Sequence, residues 1–188
     1  MFIIGFHKTG TTSVSKALTI LGYKVHSGGF RYRKDKFPKL INLLDTYDAV
    51  EDMPWPLYYK ELADSFPNAK FILTYRSTES WIKGMKSHFG FVNRPKQQLI
   101  YGVGRVMGNE QIYIQRYESF NAEVREFFKG QGKLLELRTG VDFKWEIICN
   151  FLNQPIPDAA FPHANKTPKE NRFTIVRMVK DIMKNTFK

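Results

Sequence analysis

The side chains best placed to do chemistry fall in two short stretches. The first is Gly5-Phe-His-Lys-Thr-Gly-Thr-Thr, which follows an apolar run from Phe2 and precedes an amphipathic stretch. That order reads as strand, small-residue turn and helix, the outline of an anion site. Unpaired N–H groups at a helix start carry the positive end of the helix dipole, and small residues let phosphate oxygens approach them. Gly5 and Gly10 have the spacing of a Walker P-loop, but Thr11 stands where that motif needs lysine, and Lys8 lies inside the loop instead. A nucleoside triphosphatase would lose its usual β,γ-phosphate lysine, which counts against a kinase or ATPase. A plain strand-turn-helix corner would need Gly10 alone; Lys8, Gly10, Thr11 and Thr12 together exceed that requirement. The second stretch ends in the adjacent carboxylates Glu51 and Asp52, before Met53-Pro54. If residues 49–52 are extended, these carboxylates point to opposite sides, so one alone can face a cleft. Asp52 could equally cap the turn from Pro54 to Tyr59. His7 beside the loop could touch a ligand, although a lone histidine there more often packs or hydrogen-bonds. His26, His88 and His163 have no metal-ligand spacing, and no metal is expected.

Positioning these groups requires a scaffold, and the hydrophobic pattern supplies one. Short apolar, β-branched or aromatic runs at 2–6, 23–26, 49–51, 70–75 and 134–137 read as buried strands. Between them Val14, Ala17, Leu18 and Leu21 fall at helical spacing, as do Phe37, Leu40, Ile41 and Leu44, and Trp145, Ile148, Cys149 and Leu152. Tyr113, Tyr117, Phe120, Val124 and Phe127 mark a longer helix before the last strand. Strands alternating with helices imply a parallel sheet covered on both faces. The expected fold is a three-layer α/β/α domain of P-loop type with a central parallel sheet of about five strands, formed by residues 1–188 as one domain. The stretch 91–109 holds Asn93, Pro95, Gly102, Gly104 and Gly108 with poor periodicity, and reads as a loop or lid. Residues 173–188 read as a C-terminal helix docked on its own domain.

Composition narrows the class further. With 188 residues the chain can build a core without disulfide or metal support, and 43% hydrophobic content argues against disorder. The single Cys149 excludes an internal disulfide framework and makes a reducing compartment the easier assumption. No apolar run approaches the roughly 20 residues of a membrane helix. Met1-Phe-Ile-Ile passes at once into Gly5-Phe-His-Lys without a charged leader or cleavage site, so a cytoplasmic protein is expected. A net charge of +11 favours an anionic partner, whether nucleic acid, a lipid surface or a phosphorylated small molecule.

Lys8-Thr-Gly-Thr-Thr followed by an amphipathic helix resembles the 5'-phosphosulfate loop of sulfotransferases that use 3'-phosphoadenosine 5'-phosphosulfate (PAPS). The resemblance implies that Lys8 contacts the phosphosulfate bridge while the backbone and hydroxyls of Thr9, Gly10, Thr11 and Thr12 hold the 5'-phosphate. Where cytosolic relatives place an aromatic residue against adenine, this chain has Ser13. A second similarity covers Asp48-Ala-Val-Glu-Asp-Met-Pro and Phe66-Pro-Asn-Ala-Lys-Phe-Ile-Leu-Thr-Tyr-Arg-Ser. It implies that Arg76, at the end of a parallel strand, binds the 3'-phosphate, a position where guanidinium can grip phosphate bidentately. The family's partner serine usually follows eight residues later, at Gly84 here; Ser77 or Ser80 in the first helical turn could substitute, or either could be an N-cap. A third similarity runs from Trp145 through Pro155-Ile-Pro-Asp to Phe161-Pro-His-Ala-Asn-Lys-Thr, and brings Lys166, Lys169 or Arg172 forward for the 3'-phosphate. The pattern is that of a loosely annotated branch distinct from the cytosolic aryl and alcohol enzymes.

The expected activity is transfer of a sulfuryl group from PAPS to a hydroxyl or amine of a small-molecule or glycan acceptor. Asp52 corresponds to where cytosolic relatives place a His-x-Pro base, with Glu51 as competitor; acceptor orientation is an alternative role for Asp52. A phosphotransferase with an altered P-loop and a basic nucleic-acid-binding module are the alternatives. The latter lacks aromatics interleaved with lysines on a recognisable sheet, so no nucleic-acid partner is expected.

Overall fold

The computed structural model describes residues 1–28, 41–42 and 44–164. The expected helix at 173–188, Phe37 and Leu40 of the apolar pattern, and Lys166, Lys169 and Arg172 lie outside the described residues. Five strands form one parallel sheet: β1 Phe2–Ile3, β2 Val25–Ser27, β3 Ala49–Glu51, β4 Phe71–Tyr75 and β5 Leu134–Arg138, in the order β2-β3-β1-β4-β5. Among the described residues the helices are α1 Thr11–Ile20, α2 Tyr59–Ser65, α3 Thr78–Phe89, α4 Pro95–Tyr101, α5 Glu110–Phe128 and α6 Trp145–Leu152, with a 3₁₀ turn at Trp55–Tyr58. No helix among the described residues is long and apolar enough to cross a membrane.

Strand alternation divides the core into two layers. Ile3, Ala49, Ile72 and Leu137 face α1 and α6, where Val14, Ala17, Leu18, Ile148, Cys149 and Leu152 complete one buried cluster. Phe2 and Phe71 point the other way, with ring centroids 5.2 Å apart, and Phe71 meets Phe128 of α5 at 4.5 Å. Tyr59 of α2 packs edge-on against Phe120 and Phe127 on that same face. The three-layer α/β reading is therefore correct, and Cys149 is a core residue.

α1 starts at Gly10, whose φ of 90° is left-handed, and ends where Gly22 at φ 89° lets Tyr23 N–H return to the Leu18 carbonyl at 3.0 Å. Between those stops its apolar stripe lies flat on β1 and β3, which fixes the helix start over the end of the sheet.

By packing, the described residues fall into two compact groups, Met1–Arg76 with 119–164, and Ser77–Glu118. In the second group Trp81 stacks on Tyr117 at 4.1 Å and Tyr101 on Tyr113 at 4.2 Å. The stretch 91–109 differs from its reading as a loop: it contains α4, with Gln97, Ile100 and Tyr101 buried. Seven residues complete barely two turns, too few for a 3.6-residue period to show in sequence.

Leu18 anchors α1 to the sheet with no exposed surface. Leu18→Ala should lower stability by about 2–5 kcal/mol. Urea unfolding of the two proteins gives the value, and a loss below about 0.5 kcal/mol would mean that α1 is not held by this contact.

Candidate active site

The loop between β1 and α1 is fixed by its carbonyl oxygens. Thr9 is fully buried, and its hydroxyl donates to the Phe6 carbonyl at 2.6 Å. Its one proton is thereby used, so in the 2.7 Å contact between the Thr9 and Thr74 hydroxyls it is Thr74 that donates. Arg76 Nη1 donates to the Lys8 carbonyl at 3.2 Å. Thr139, just past β5, donates through its hydroxyl to the Thr9 carbonyl and also reaches the Tyr75 carbonyl at 3.0 Å. The opposite side of the loop is unclaimed: no acceptor among the described residues takes the N–H groups of Gly10, Thr11 and Thr12, whereas those of Ser13 and Val14 return to the Gly10 carbonyl. These amides open the ten-residue α1, so the helix dipole adds to them.

Close approach explains the glycines. A Cβ on Gly5 would stand 1.9 Å from Thr74 Oγ1, and one on Gly10 would stand 2.8 Å from the Phe143 ring. Lys8 itself has φ 65°, a conformation costly for a residue with a side chain, and is half-buried. Such a cradle of amides with a lysine in the turn and a guanidinium beneath it suits a tetrahedral anion.

The carboxylates separate as strand geometry requires. Glu51 shares the face of Ala49, beneath α1, and is 1% exposed. Its Oε1 accepts from Ser27 Oγ at 2.9 Å, the residue paired with it across β2 and β3. Burial pushes the Glu51 carboxyl above the usual carboxylate range; the hydroxyls of Thr11, Ser27 and Ser15 act against that shift, and Asp52 adds to it. Asp52 has φ 70° and is half-buried, so its left-handed backbone takes it out of the strand's alternation. Gly28 is its neighbour, where a Cβ would come within 2.8 Å of Asp52 Cβ.

A family model described as "Sulfotransferase domain" matches residues 1–105 and 97–169. The chain belongs to the sulfotransferase family. A relative named Ava biosynthesis cluster protein M, from Aspergillus versicolor, is 28% identical over 209 residues, covering 87% of this chain and 79% of its own length.

Within this sulfotransferase fold, Lys8, Gly10, Thr11, Thr12 and Arg76 come together at one end of the sheet, with Glu51 beneath the same helix start. Thr9 lies there too, but its hydroxyl is turned into the core and only its main chain faces the loop. Ser80 lies in the first turn of α3, exposed, and its N–H is capped by Ser77 Oγ at 3.3 Å, so Ser77 is the N-cap. Ser13 is buried and accepts from the Ala164 N–H at 3.0 Å, which ties the proline-punctuated segment after α6 to α1. Sequence reasoning missed Thr74 and Thr139, which hold the loop. The available signal was their place at the C-terminal ends of two strands flanking the loop, the edge where α/β sheets bind ligands.

Thr9→Val keeps the shape of the buried side chain but leaves the Phe6 carbonyl and the Thr74 hydroxyl without it. The expected loss is about 1–3 kcal/mol, with Thr9→Ser recovering most of it. Chemical denaturation measures both, and an undiminished stability for Val with a loss for Ser would show that the methyl, not the hydroxyl, matters.

Proposed function

We propose that this chain is a PAPS-dependent sulfotransferase that sulfates a hydroxyl or amine on a small-molecule or glycan acceptor and releases adenosine 3',5'-bisphosphate. The observation that carries the reading is the cradle of unclaimed amides at Gly10, Thr11 and Thr12, which has Lys8 in the turn and no lysine at Thr11. A buried single cysteine and the absence of a membrane-crossing helix among the described residues support the cytoplasm as its setting.

PAPS supplies a sulfuryl group bonded to a good leaving phosphate. In this reading the amides of the loop and the dipole of α1 bind the 5'-phosphate, and the Thr11 and Thr12 hydroxyls border it. Lys8 meets the negative charge that grows on the leaving oxygen as the sulfur–oxygen bond breaks, the position at which a fixed cation lowers a barrier most. Arg76 and Ser80 are assigned to the 3'-phosphate, with Lys166 a further candidate. Because Arg76 also holds the Lys8 carbonyl, it links the two phosphate sites. Asp52 receives the proton of the acceptor hydroxyl; its half-exposure supports that role over Glu51, which no acceptor can reach without opening the core. The stretch 91–109 is assigned to acceptor choice.

Adenosine 3',5'-bisphosphate at about 100 times its dissociation constant should stabilise the protein by roughly 2.7 kcal/mol. A thermal shift assay against ATP with magnesium and single-stranded RNA decides among the classes. No shift at millimolar bisphosphate with folded protein would remove the donor assignment, and preference for ATP would replace it with phosphotransfer.

Turnover separates donor from acceptor chemistry. Lys8→Ala should cost about 10² to 10³ in rate with a modest loss of donor affinity. Asp52→Asn should cost about 10² to 10⁴ with donor affinity unchanged. Labelled PAPS with a panel of phenols, alcohols, amines and sugars provides the assay; near-normal turnover by Asp52→Asn would transfer the base to another group.

A further inference from the structure

Glu51 is the buried ionisable group that the reaction above leaves without a task. Its Oε1 accepts from Ser27, while its Oε2 is buried and completes no hydrogen bond among the described residues. The hydroxyls of Thr11 and Ser15, one turn apart on α1, act on the carboxyl from above. Thr11 also owns one of the unclaimed amides of the cradle. One hydroxyl group thus separates the Glu51 carboxyl from the place where an anion would sit.

Among the described residues, none of the groups that act on its carboxyl is a cation. Asp52, the next residue, has the same sign. Lys16 on α1 is exposed. On β2, His26 alternates away from Ser27 and its ring meets Tyr47 at 4.8 Å, and the Lys24 ammonium just before the strand lies over that same Tyr47 ring at 5.1 Å. β1 and the 3₁₀ turn contribute Phe2, Ile3, Trp55, Pro56, Leu57 and Tyr58, none of them a cation. A charged Glu51 would therefore repel the phosphate that the loop is built to hold.

We propose that Glu51 is a positioning residue of the anion site and works as an uncharged acid, its Oε2 proton directed to the Thr11 hydroxyl oxygen so that the Thr11 proton turns to the bound 5'-phosphate. This rests on the donor reading given above. The carboxyl keeps its proton, accepts from Ser27 and donates to Thr11, and no negative charge remains beneath the cradle. Burial pushes its proton affinity in the required direction, and a bound phosphate anion pushes it further the same way.

The sign of the pH dependence follows. A bound-state pKa above the free-state value means that binding takes up a proton, and that affinity is full at low pH and falls as pH rises above the usual carboxylate range. The ligand phosphate also ionises near pH 6, so the decisive quantity is the difference between proteins titrated with the same ligand.

Isothermal titration of the full chain with adenosine 3',5'-bisphosphate, from pH 5 to 9 in pairs of buffers of different ionisation enthalpy, measures affinity and proton uptake together. Glu51→Gln mimics the protonated acid, since its amide both accepts and donates. The wild type should take up more proton than Glu51→Gln, and by the upper end of the range Glu51→Gln should bind about tenfold tighter than wild type. Ser27→Ala removes a hydroxyl that favours the charged form, so its loss of affinity should move to higher pH. Parallel profiles and equal proton uptake in folded wild type and Glu51→Gln would overturn the role while leaving the donor reading intact. If Glu51→Gln does not fold, the Ser27→Ala profile decides: a shift to higher pH supports the role, and an unmoved profile overturns it. Absence of binding by wild type at every pH removes the donor reading, and this role with it.

Discussion

A loop whose amides face outward needs something to hold it from the other side, and here that hold is taken on three of its carbonyls. The Phe6 carbonyl accepts from the Thr9 hydroxyl, the Lys8 carbonyl from Arg76, and the Thr9 carbonyl from Thr139. Each donor comes from the loop itself or from the end of a strand beside it, so the parallel sheet sets where the carbonyls point. Rotating a peptide to satisfy its carbonyl also fixes its N–H on the far side. Fixing the Thr9 carbonyl inward therefore turns the Gly10 amide outward, and the Gly10 carbonyl, committed to the Ser13 and Val14 N–H groups inside α1, does the same for the amide of Thr11. The close fit of Gly5 on Thr74 and of Gly10 on Phe143 follows from the same constraint, because the loop can be gripped only if it lies on the strand ends without intervening Cβ atoms.

The two carboxylates show how a single backbone angle divides neighbouring residues into different tasks. Extended geometry commits Glu51 to the face of Ala49 beneath α1. A further extended residue would have carried Asp52 into the opposite layer, among the aromatic side chains of α2 and α5. Its φ of 70° interrupts that alternation and leaves the side chain half-exposed beside Gly28. Residues in this region of backbone space are held there by their surroundings at a cost of order 1–3 kcal/mol. That strain sits at the C-terminal edge of the parallel sheet, just past β3.

Local signals made the scaffold legible in advance. β1, the loop and α1 read directly because the apolar run, the glycines and the helical stripe are contiguous, and β3, β4 and α6 begin and end within a residue of their expected limits. The grip on the loop was not legible, since Thr74 and Thr139 lie 65 and 130 residues from Thr9 and no local pattern distinguishes a threonine that reaches across a sheet from one that fills a strand. Glu51 and Asp52 were legible as a pair on opposite sides, but which one is enclosed depends on α1 covering the face of Ala49, a tertiary fact. α4 escaped notice because its few residues sit among glycines that break any period.

The positive surplus and the anion site do different physical work. The described ion pairs Lys86–Glu110, Arg125–Glu136 and Lys129–Glu126 all lie on solvated surface, where such pairs contribute about 0–1 kcal/mol and are screened by salt. The remaining basic side chains raise the potential around the molecule and draw anions toward it, an effect that falls off within a Debye length of about 8 Å at physiological ionic strength. Main-chain amides at a helix start need no side-chain ordering, carry no counterion and keep their direction whatever the pH. A lysine at Thr11 would have added a mobile charge next to Glu51, where it would pair with that carboxylate. With Lys8 in the turn, its carbonyl held by Arg76, the helix start above Glu51 carries no side-chain charge.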